Sequence, residues 1–262
     1  MSKNKMILDE IIKNKSEELR EAKQRIPLAG MKRIALRQPD ALSLVDSLKS
    51  DRVHVIAEIK RSSPSRGVIR ENFDPVEIAN IYAANGATAI SVLTESKYFS
   101  GKLDYLSEIK KAIQARVPIL RKDFIIDPYQ IYESKAAGAD AILLIVAILD
   151  PATFNELLQL SHEIGLCCLV ETHTESEIFT ALNGNACIIG INNRDLSTFT
   201  IDINTTIRLR PLIPEGHIVV SESGIKTRKD IEMLHRHGVN AMLIGERLMS
   251  APDIAMELRG LL

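Results

Sequence analysis

The chain has 262 residues, of which 45% are hydrophobic and 26% are charged, a composition typical of a folded globular protein. Its 33 basic and 34 acidic residues leave a formal net charge of −1. The chain therefore lacks the overall positive field that attracts nucleic acids and anionic membranes, and we expect neither as a partner.

The N-terminal residues and the cysteines indicate the cellular compartment of the protein. Residues 1–5 lead into a mixed acidic and basic segment without the apolar core of a secretory signal. Cys167, Cys168 and Cys187 have no spacing that indicates a disulfide framework or a metal site. The longest apolar run is nine residues, 141–149, against the roughly 20 that cross a bilayer. We expect a cytoplasmic protein with reduced thiols and no metal.

Residues 1–50 are predicted to form an N-terminal helical extension. Ile7, Ile11 and Leu19 recur at helical spacing in a strongly charged background, which indicates an amphipathic helix, and a second helix is predicted over about 39–48. The apolar stripe fits two positions: a cap over the bottom of the following fold, or a lid near the substrate.

From residue 53 onward, short apolar runs alternate with longer amphipathic segments. Aspartate followed by proline, as at 74–75, 127–128 and 150–151, is a common start of a helix. The predicted strands are 53–60, 89–94, 117–124, 141–147, 166–172, 187–192, 217–223 and 241–245.

Eight such units predict an α/β fold, a closed (β/α)8 TIM barrel, with one domain over residues 1–262. A doubly wound open sheet is the alternative, but it is disfavoured because the chain has no glycine-rich dinucleotide turn.

Polar residues end several of the otherwise apolar runs, where a barrel carries its reacting groups. Glu58 and Lys60 are two residues apart and therefore share a face of the first strand. The others are Lys122 in the third strand, Glu171 in the fifth, Asn192 in the sixth, and Ser221 and Ser223 in the seventh. A charge inside a barrel is costly unless it is paired or used. Each residue alone is compatible with a structural ion pair, but together they predict an active site.

Two glycines indicate a phosphate site. Gly224 and Gly245 begin the loops after the seventh and eighth strands, where barrels often bind phosphate through backbone N–H groups. The loop 61–67 after the first strand can close over the same anion with hydroxyl and cationic donors.

Six segments of the chain resemble the indole-3-glycerol phosphate synthase family. They are 58–65, 119–124, 169–171, 190–196, 221–225 and 243–245. They occur in the family's order at six strand ends, and the resemblance spans essentially the whole chain. It implies a lyase of tryptophan, and hence aromatic amino acid, biosynthesis. Such an enzyme closes the indole ring of 1-(2-carboxyphenylamino)-1-deoxyribulose 5-phosphate and releases carbon dioxide and water. The implied partner is this phosphorylated small molecule, with no metal or cofactor, and we expect a monomer.

The resemblance also implies catalytic roles. Lys122 is expected to protonate the substrate's ketone oxygen during ring closure, with Glu171 orienting it. Lys60 either works with Glu58 as acid and base in the later steps or holds the substrate carboxylate. Asn192 is expected to hydrogen-bond a sugar hydroxyl.

Further residues are expected to bind the substrate. Ser223 is expected at a sugar hydroxyl and Ser63 at the phosphate. Phe124 either lines the pocket for the aromatic ring or packs in the core, and Arg194 either meets a substrate carboxylate or pairs with a neighbouring acid. Glu246 stands where the family commonly has a serine, and we expect it to turn outward because a carboxylate beside a phosphate is unfavourable.

Three other functions remain open. A phosphoribosylanthranilate isomerase would need a Cys/Asp pair at strand ends, and none of the three cysteines ends a strand. A Schiff-base aldolase would form an imine on Lys60 or Lys122. A non-catalytic barrel would be expected to lack at least one of the polar positions. Because the resemblance puts the extension near the catalytic mouth, we expect deletion of residues 1 to about 45 to weaken substrate binding and to leave a folded barrel.

Overall fold

The computed structural model describes residues 3–195, 198 and 200–262, with side chains from residue 7 onward. Residues 1 and 2 of the predicted extension, and Leu196 at the end of one family segment, lie outside the described residues.

Eight parallel strands close into a barrel, so the predicted (β/α)8 TIM barrel is confirmed. Each strand pairs with its neighbours in chain order, and the eighth pairs with the first. Every predicted strand contains the observed one. The strands are β1 (His54–Ile59), β2 (Ala89–Leu93), β3 (Ile119–Lys122), β4 (Ala141–Ile145), β5 (Cys167–Thr172), β6 (Ile188–Asn192), β7 (Ile218–Glu222) and β8 (Ala241–Ile244).

Twelve α-helices occur in the described part of the chain. Those of the extension are α1 (Lys3–Arg25), α2 (Leu28–Ala35) and α3 (Leu44–Ser47). Those after the strands are α4 (Pro75–Ala84), α5 (Asp104–Ala112), α6 (Pro128–Ala136), α7 (Pro151–Glu163), α8 (Glu175–Asn183), α9 (Asn204–Leu209), α10 (Arg228–Arg236), α11 (Glu246–Met249) and α12 (Ile254–Leu261). A two-residue hairpin, Ser62–Ser63 with Gly67–Val68, follows β1.

The aspartate–proline pairs begin helices as predicted. Asp74, Asp127 and Asp150 each accept backbone N–H groups from the first turn of α4, α6 and α7 respectively. Each cap satisfies donors that the helix itself leaves unpaired.

Alternate strand residues face the inside of the barrel, and near its bottom they are apolar. Leu44 and Leu48, at α3, are fully buried in the same cluster as these side chains. The cluster includes Ile56, Ala89, Leu120, Ala141, Leu169, Ile188, Val220 and Ala241. The end of the extension therefore plugs the bottom of the barrel.

The extension combines both positions that its sequence allowed. Ile7, Leu8 and Ile11 of α1 line a cavity at the opposite end of the barrel from α3. The helix predicted over 39–48 is shorter than expected and spans only α3, whereas α2 was not predicted and buries Met31. Within the described residues, no helix is both long enough and apolar enough to cross a membrane.

Candidate active site

One cavity of about 510 Å³ opens at the carboxyl ends of the strands, within the usual size range of small-molecule sites. Of the residues predicted for the site, all except Ser221 line this cavity. They are Glu58, Lys60, Ser63, Lys122, Phe124, Glu171, Asn192, Arg194, Ser223, Gly224 and Gly245. The barrel therefore brings together side chains from distant parts of the sequence.

Lys122 lies at the centre of the charged part of the cavity. Its Nζ lies 2.8 Å from Oε2 of Glu171 and 2.9 Å from Oε2 of Glu222. Lys122 is the last residue of β3, Glu171 is the last but one of β5, and Glu222 is the last of β7. Both carboxylates are almost fully buried. The lysine is thus held by two carboxylates from different strands.

The protonation tendencies of the two glutamates differ. Burial lowers the pKa of Lys122, but the nearby carboxylates outweigh burial and hold this pKa well above its ordinary value. Burial raises the pKa of Glu171, but Lys122 and His173 together outweigh burial and hold that pKa well below the ordinary value. At Glu222 burial prevails and raises the pKa to about 7. Such a divergence between neighbouring carboxyl groups is typical of acid–base sites.

Glu58 and Lys60 form a second charged pair on β1 and the residue after it. Oε2 of Glu58 lies 2.5 Å from Nζ of Lys60. A Cβ atom at Gly245 would overlap the Glu58 carboxylate. Gly245 therefore provides the space in which this carboxylate lies.

Glu222 is the site residue that the sequence prediction missed. The prediction chose Ser221 and Ser223, but Ser221 lies outside the cavity, where it hydrogen-bonds Asn193 at 3.0 Å. The signal was present in the strand, because Val220 faces the inside and Glu222 is two residues further on. A Cβ atom at Gly190 would overlap Oε1 of Glu222.

Asn192 connects Glu171 to the loop after β6. Its Nδ2 donates to Oε1 of Glu171 at 3.1 Å, and its Oδ1 accepts the backbone N–H of Arg194 at 3.0 Å. Ser223 follows β7 with a φ of 67° and lines the cavity beside Glu222.

One side of the cavity is apolar. Phe124 lies there with Phe99, at 6.4 Å between ring centroids, and Ile7, Leu8 and Ile11 of α1 face the same space. Phe124 is therefore a pocket residue and not only a core residue. This side offers an apolar surface on which a flat aromatic group can lie.

The polar rim is formed by the loops after β1, β7 and β8. Ser63, Gly224 and Gly245 all lie there, and Gly224 has a φ of 81°, a conformation that glycine adopts without strain. Glu246 also lines the rim, but its Oε1 pairs with Arg66 at 2.5 Å and its Oε2 lies 4.0 Å from Arg194. The expectation that Glu246 turns outward is therefore wrong: its carboxylate stays at the rim of the cavity because two arginines hold it there.

Metal-ligating groups do not converge here. Within the part of the chain that the structure describes, no three His, Cys, Asp or Glu side chains are arranged to hold a metal ion. Cys168 is buried at the start of β5, and burial raises the pKa of its thiol to about 12.

A lysine paired with two buried carboxylates, at the carboxyl face of a closed eight-stranded barrel, is the arrangement expected of a (β/α)8 barrel enzyme. The family model of indole-3-glycerol phosphate synthase matches residues 8–261. The chain belongs to the indole-3-glycerol phosphate synthase family, the carboxy-lyases that form the indole ring in tryptophan biosynthesis, and the resemblance seen in the sequence is confirmed.

Individual relatives agree over the full length. The indole-3-glycerol phosphate synthase of Dehalococcoides mccartyi is 54% identical over 259 residues, covering 98% of this chain and 100% of that protein. That of Carboxydothermus hydrogenoformans is 45% identical over 265 residues, covering 98% and 100%. Among solved structures, 3-hexulose-6-phosphate synthase from Salmonella typhimurium superposes with a TM-score of 0.64 at 15% identity, over 79% of this chain and 96% of that one. The last similarity concerns the fold alone.

Proposed function

We propose that this protein closes the indole ring of 1-(2-carboxyphenylamino)-1-deoxyribulose 5-phosphate with Lys122 as the acid of ring closure. The observation that carries the proposal is the position of its Nζ, 2.8 and 2.9 Å from two buried carboxylates at the end of the substrate-sized cavity. An ammonium held there stays protonated until a stronger base, such as a developing alkoxide, comes within reach.

Ring closure joins the aromatic carbon that bears the carboxylate to the ketone carbon. The ketone oxygen gains negative charge as this bond forms, and Lys122 gives it a proton. Glu171 keeps the ammonium aimed into the cavity, which supplies the orientation that an intramolecular reaction needs. Glu222, whose pKa of about 7 lets it gain or lose a proton near neutrality, can then return a proton to Lys122.

Carbon dioxide and water leave in the second half of the reaction. The pair Glu58 and Lys60 supports this half, because its ammonium can protonate the leaving hydroxyl while its carboxylate takes the ring proton. Before carbon dioxide leaves, the Lys60 ammonium is also well suited to bind the substrate carboxylate. We assign both tasks to Lys60: it first binds the substrate carboxylate and, after carbon dioxide has left, protonates the leaving hydroxyl.

The rest of the cavity binds the substrate in this proposal. Phe124 contacts the aromatic ring, and Asn192 and Ser223 hydrogen-bond the sugar hydroxyls. Ser63 binds the phosphate from the loop after β1.

The phosphate also receives donors from the glycine loops. The backbone N–H groups at Gly224 and Gly245 approach it, as oriented backbone donors commonly approach anions. Arg194 supplies a cation at the same rim and divides its charge between the phosphate and Glu246, 4.0 Å away.

The alternative barrel enzymes are less well supported. A Schiff-base lysine must lose its proton to attack a carbonyl, whereas the pKa of Lys122 is held well above its ordinary value and Lys60 is paired with Glu58. The acid–base cysteine of an isomerase would have to lie in the cavity, and Cys168 is buried at the other end of its strand.

We further propose that the chain acts as one barrel domain over residues 1–262, as a monomer in the cytoplasm. The burial of Leu44 inside the barrel supports treating the extension as part of that domain. The net charge of −1 favours neither nucleic acid nor membrane as a partner.

The decisive experiment is the reaction itself. Purified protein incubated with the carboxyphenylamino substrate should release carbon dioxide and form an indole with its characteristic absorbance, one for one. Folded protein that forms no indole would contradict the proposal. Trapping of substrate on a lysine by borohydride would favour the aldolase.

The phosphate contacts are tested separately with adjacent serines. Ser63→Ala should raise KM about tenfold, which corresponds to about 1.4 kcal/mol of binding. Ser62 is the matched control, because its hydroxyl bonds Ser100 at 2.8 Å outside the cavity, and Ser62→Ala should leave KM unchanged. Equal effects of the two changes would remove Ser63 from the phosphate site.

A further inference from the structure

His173 lies between two carboxylates just behind the catalytic cavity. It follows the last residue of β5, and its side chain is 9% exposed. Its Nδ1 lies 3.1 Å from Oε2 of Glu177, and its Nε2 lies 3.3 Å from Oε1 of Glu171. His173 does not itself line the cavity, so it can act there only through Glu171.

Glu177 is fixed by the local sequence, and it fixes the imidazole in turn. Its Oε2 accepts the backbone N–H of His173 at 2.8 Å, and its Oε1 accepts the hydroxyl of Thr174 at 3.1 Å. Thr174 also caps the first turn of α8. A histidine held at Nδ1 in this way must point its Nε2 toward Glu171.

The charge state follows from these contacts. Burial lowers the pKa of His173, but the carboxylates on both sides outweigh burial and raise it to about 10. Nε2 makes no aligned hydrogen bond within the described residues, so its attraction to Glu171 is that of an ion pair. His54 is the opposite case: it is fully buried, its Nδ1 lies 3.1 Å from the hydroxyl of Thr88, and burial lowers its pKa.

We propose that His173, held as an imidazolium by Glu177, is a positioning residue that keeps Glu171 ionised and turned toward Lys122. The inference rests on the proposed function in one respect, the role of Lys122 and Glu171 in ring closure. It adds a cation that the substrate does not touch and that acts through Glu171.

The charges around the site explain why such a cation is needed. Among the described residues, the ammonium groups of Lys60 and Lys122 pair with three carboxylates, those of Glu58, Glu171 and Glu222. His173 places a positive charge 3.3 Å from Glu171, whereas the Glu177 charge that offsets it lies on the other side of the ring. Without His173, the excess of negative charge around Glu171 is expected to raise the pKa of that carboxyl group.

Glu171 is the carboxylate that depends on His173. Its Oε2 faces Lys122, and its Oε1 faces His173 and the amide of Asn192. Behind the ring, Glu177 is the charged group that α8 supplies. Protonation of Glu171 would release Lys122 from its aimed position.

The test replaces each of the two buried histidines with asparagine. In His173→Asn we expect kcat to fall about tenfold with KM within about twofold, because substrate contacts remain. The carboxylates titrate as a coupled set, and loss of a cation raises the pKa of the set. The acidic limb of the kcat profile should therefore move up by about one pH unit. In His54→Asn the kcat profile should stay in place, with only the melting temperature lowered.

A second variant and a titration keep the inference testable if His173→Asn does not fold. Glu177→Gln removes the anion behind the ring while Glu171 still holds His173 protonated in the acidic range, so its acidic limb should move to lower pH, opposite to that of His173→Asn. Nitrogen NMR of the unmodified protein should show His173 as an imidazolium through about pH 8, well above the ordinary histidine pKa of about 6.5.

The outcomes separate this inference from the proposed function. If the unmodified protein forms no indole, the proposed function fails, and the titration of His173 alone then decides whether it is the buried cation beside Glu171. A neutral His173 at pH 8 would overturn the inference. So would a His173→Asn variant whose kcat profile is unchanged while its melting temperature drops, because that is the result of a merely structural role.

Discussion

The two ends of the barrel use the same inward-facing strand positions for opposite purposes. At the bottom, those positions carry apolar residues closed off by Leu44 and Leu48. Two residues further along the strands, the same face carries charge. The steps are Ile56 to Glu58, Leu120 to Lys122, Leu169 to Glu171 and Val220 to Glu222. A single side-chain layer separates the stabilising part of the barrel from its reactive part.

The polar groups at the two ends also differ in how fully they are satisfied. At the bottom, Asp140 accepts both from Lys110 and from backbone N–H groups, those of Ile119 and Leu42. At the mouth, Oε1 of Glu222 is buried without a hydrogen-bond partner among the described residues. A satisfied polar group stabilises the fold, whereas an unsatisfied one raises the energy of the charged state and is typical of a reacting group.

The largest difference between the ends should appear when one lysine is removed from each. Lys122→Met keeps most of the side-chain volume and removes the acid, so kcat should fall by about 10² to 10⁴, the usual contribution of general acid–base catalysis, with KM largely retained. Lys110→Met is the matched control, because Lys110 pairs with Asp140 at 2.6 Å at the bottom. It should lower the melting temperature and leave kcat per folded molecule unchanged.

Measurement of both quantities on both variants decides the case. A Lys122→Met protein with near-normal kcat and reduced stability would make Lys122 a structural ion pair, equivalent to Lys110. Lys122 would then no longer be the ring-closing acid.

The N-terminal extension contacts both ends of the barrel, so changes to its two parts should separate substrate binding at the mouth from stability at the bottom. Removal of residues 1–25, which carry α1, should raise KM about tenfold, the 1.4 kcal/mol of a modest contact surface, and should leave a folded barrel. Leu44→Ala should instead lower the free energy of unfolding by about 2–5 kcal/mol with KM unchanged. Leu36→Ala is the control, because Leu36 is 68% exposed.

This prediction revises the expectation drawn from the sequence. A deletion of residues 1 to about 45 removes Leu44 from the bottom plug as well as α1 from the mouth, so it should cost stability in addition to binding. Full stability after the longer deletion would show that the plug is dispensable.

The sequence predicted most of this molecule because its patterns are local. Each strand is an apolar run of the right length, and Lys122 could be placed at the mouth from its parity with Leu120. The aspartate–proline caps follow from the chemistry of the first helical turn. These features need no knowledge of distant residues.

Of the features that the sequence analysis did not reveal, Glu222 had a local signal and the others depend on distant residues. Glu222 was missed because the neighbouring serines were taken as the polar end of the strand. The space that Gly245 leaves for Glu58 involves residues 187 positions apart in the chain. The extension could not be assigned to one end because its two parts cover different ends.

The ionisation of Glu222 should also affect how the stability of the protein depends on pH. The pKa of Glu222 rises from the ordinary value of 4.5 to about 7 in the folded protein, chiefly because the carboxyl group is buried. The folded state then binds this proton more tightly than the unfolded state, so its contribution to stability falls as pH rises between these two values. In urea unfolding, the free energy of unfolding of Glu222→Gln relative to that of the unmodified protein should therefore increase by on the order of 2–3 kcal/mol as pH rises across this range.

A surface glutamate provides the reference for this slope. Glu163, which is exposed at the end of α7, should show no such gain in Glu163→Gln. Parallel pH profiles for Glu222→Gln and the unmodified protein would mean that burial does not hinder ionisation of Glu222, and the contrast between the two ends of the barrel would lose its main electrostatic support.

The smallest predicted effect concerns glycines, and it tests whether the mouth needs space as well as charge. Gly245 has a φ of −121°, which alanine tolerates, so Gly245→Ala introduces a steric change without backbone strain. Its methyl group would overlap the Glu58 carboxylate. Overpacking of this kind costs about 1–3 kcal/mol, and at the lower end of that range kcat/KM should fall about fivefold as the Glu58–Lys60 pair is displaced. Gly260→Ala in α12 meets no neighbouring atom within 4 Å and should leave kcat/KM unchanged. Equal activity of the two alanine variants would show that Glu58 can move aside freely, and the position of its carboxylate would then not be part of the catalytic geometry.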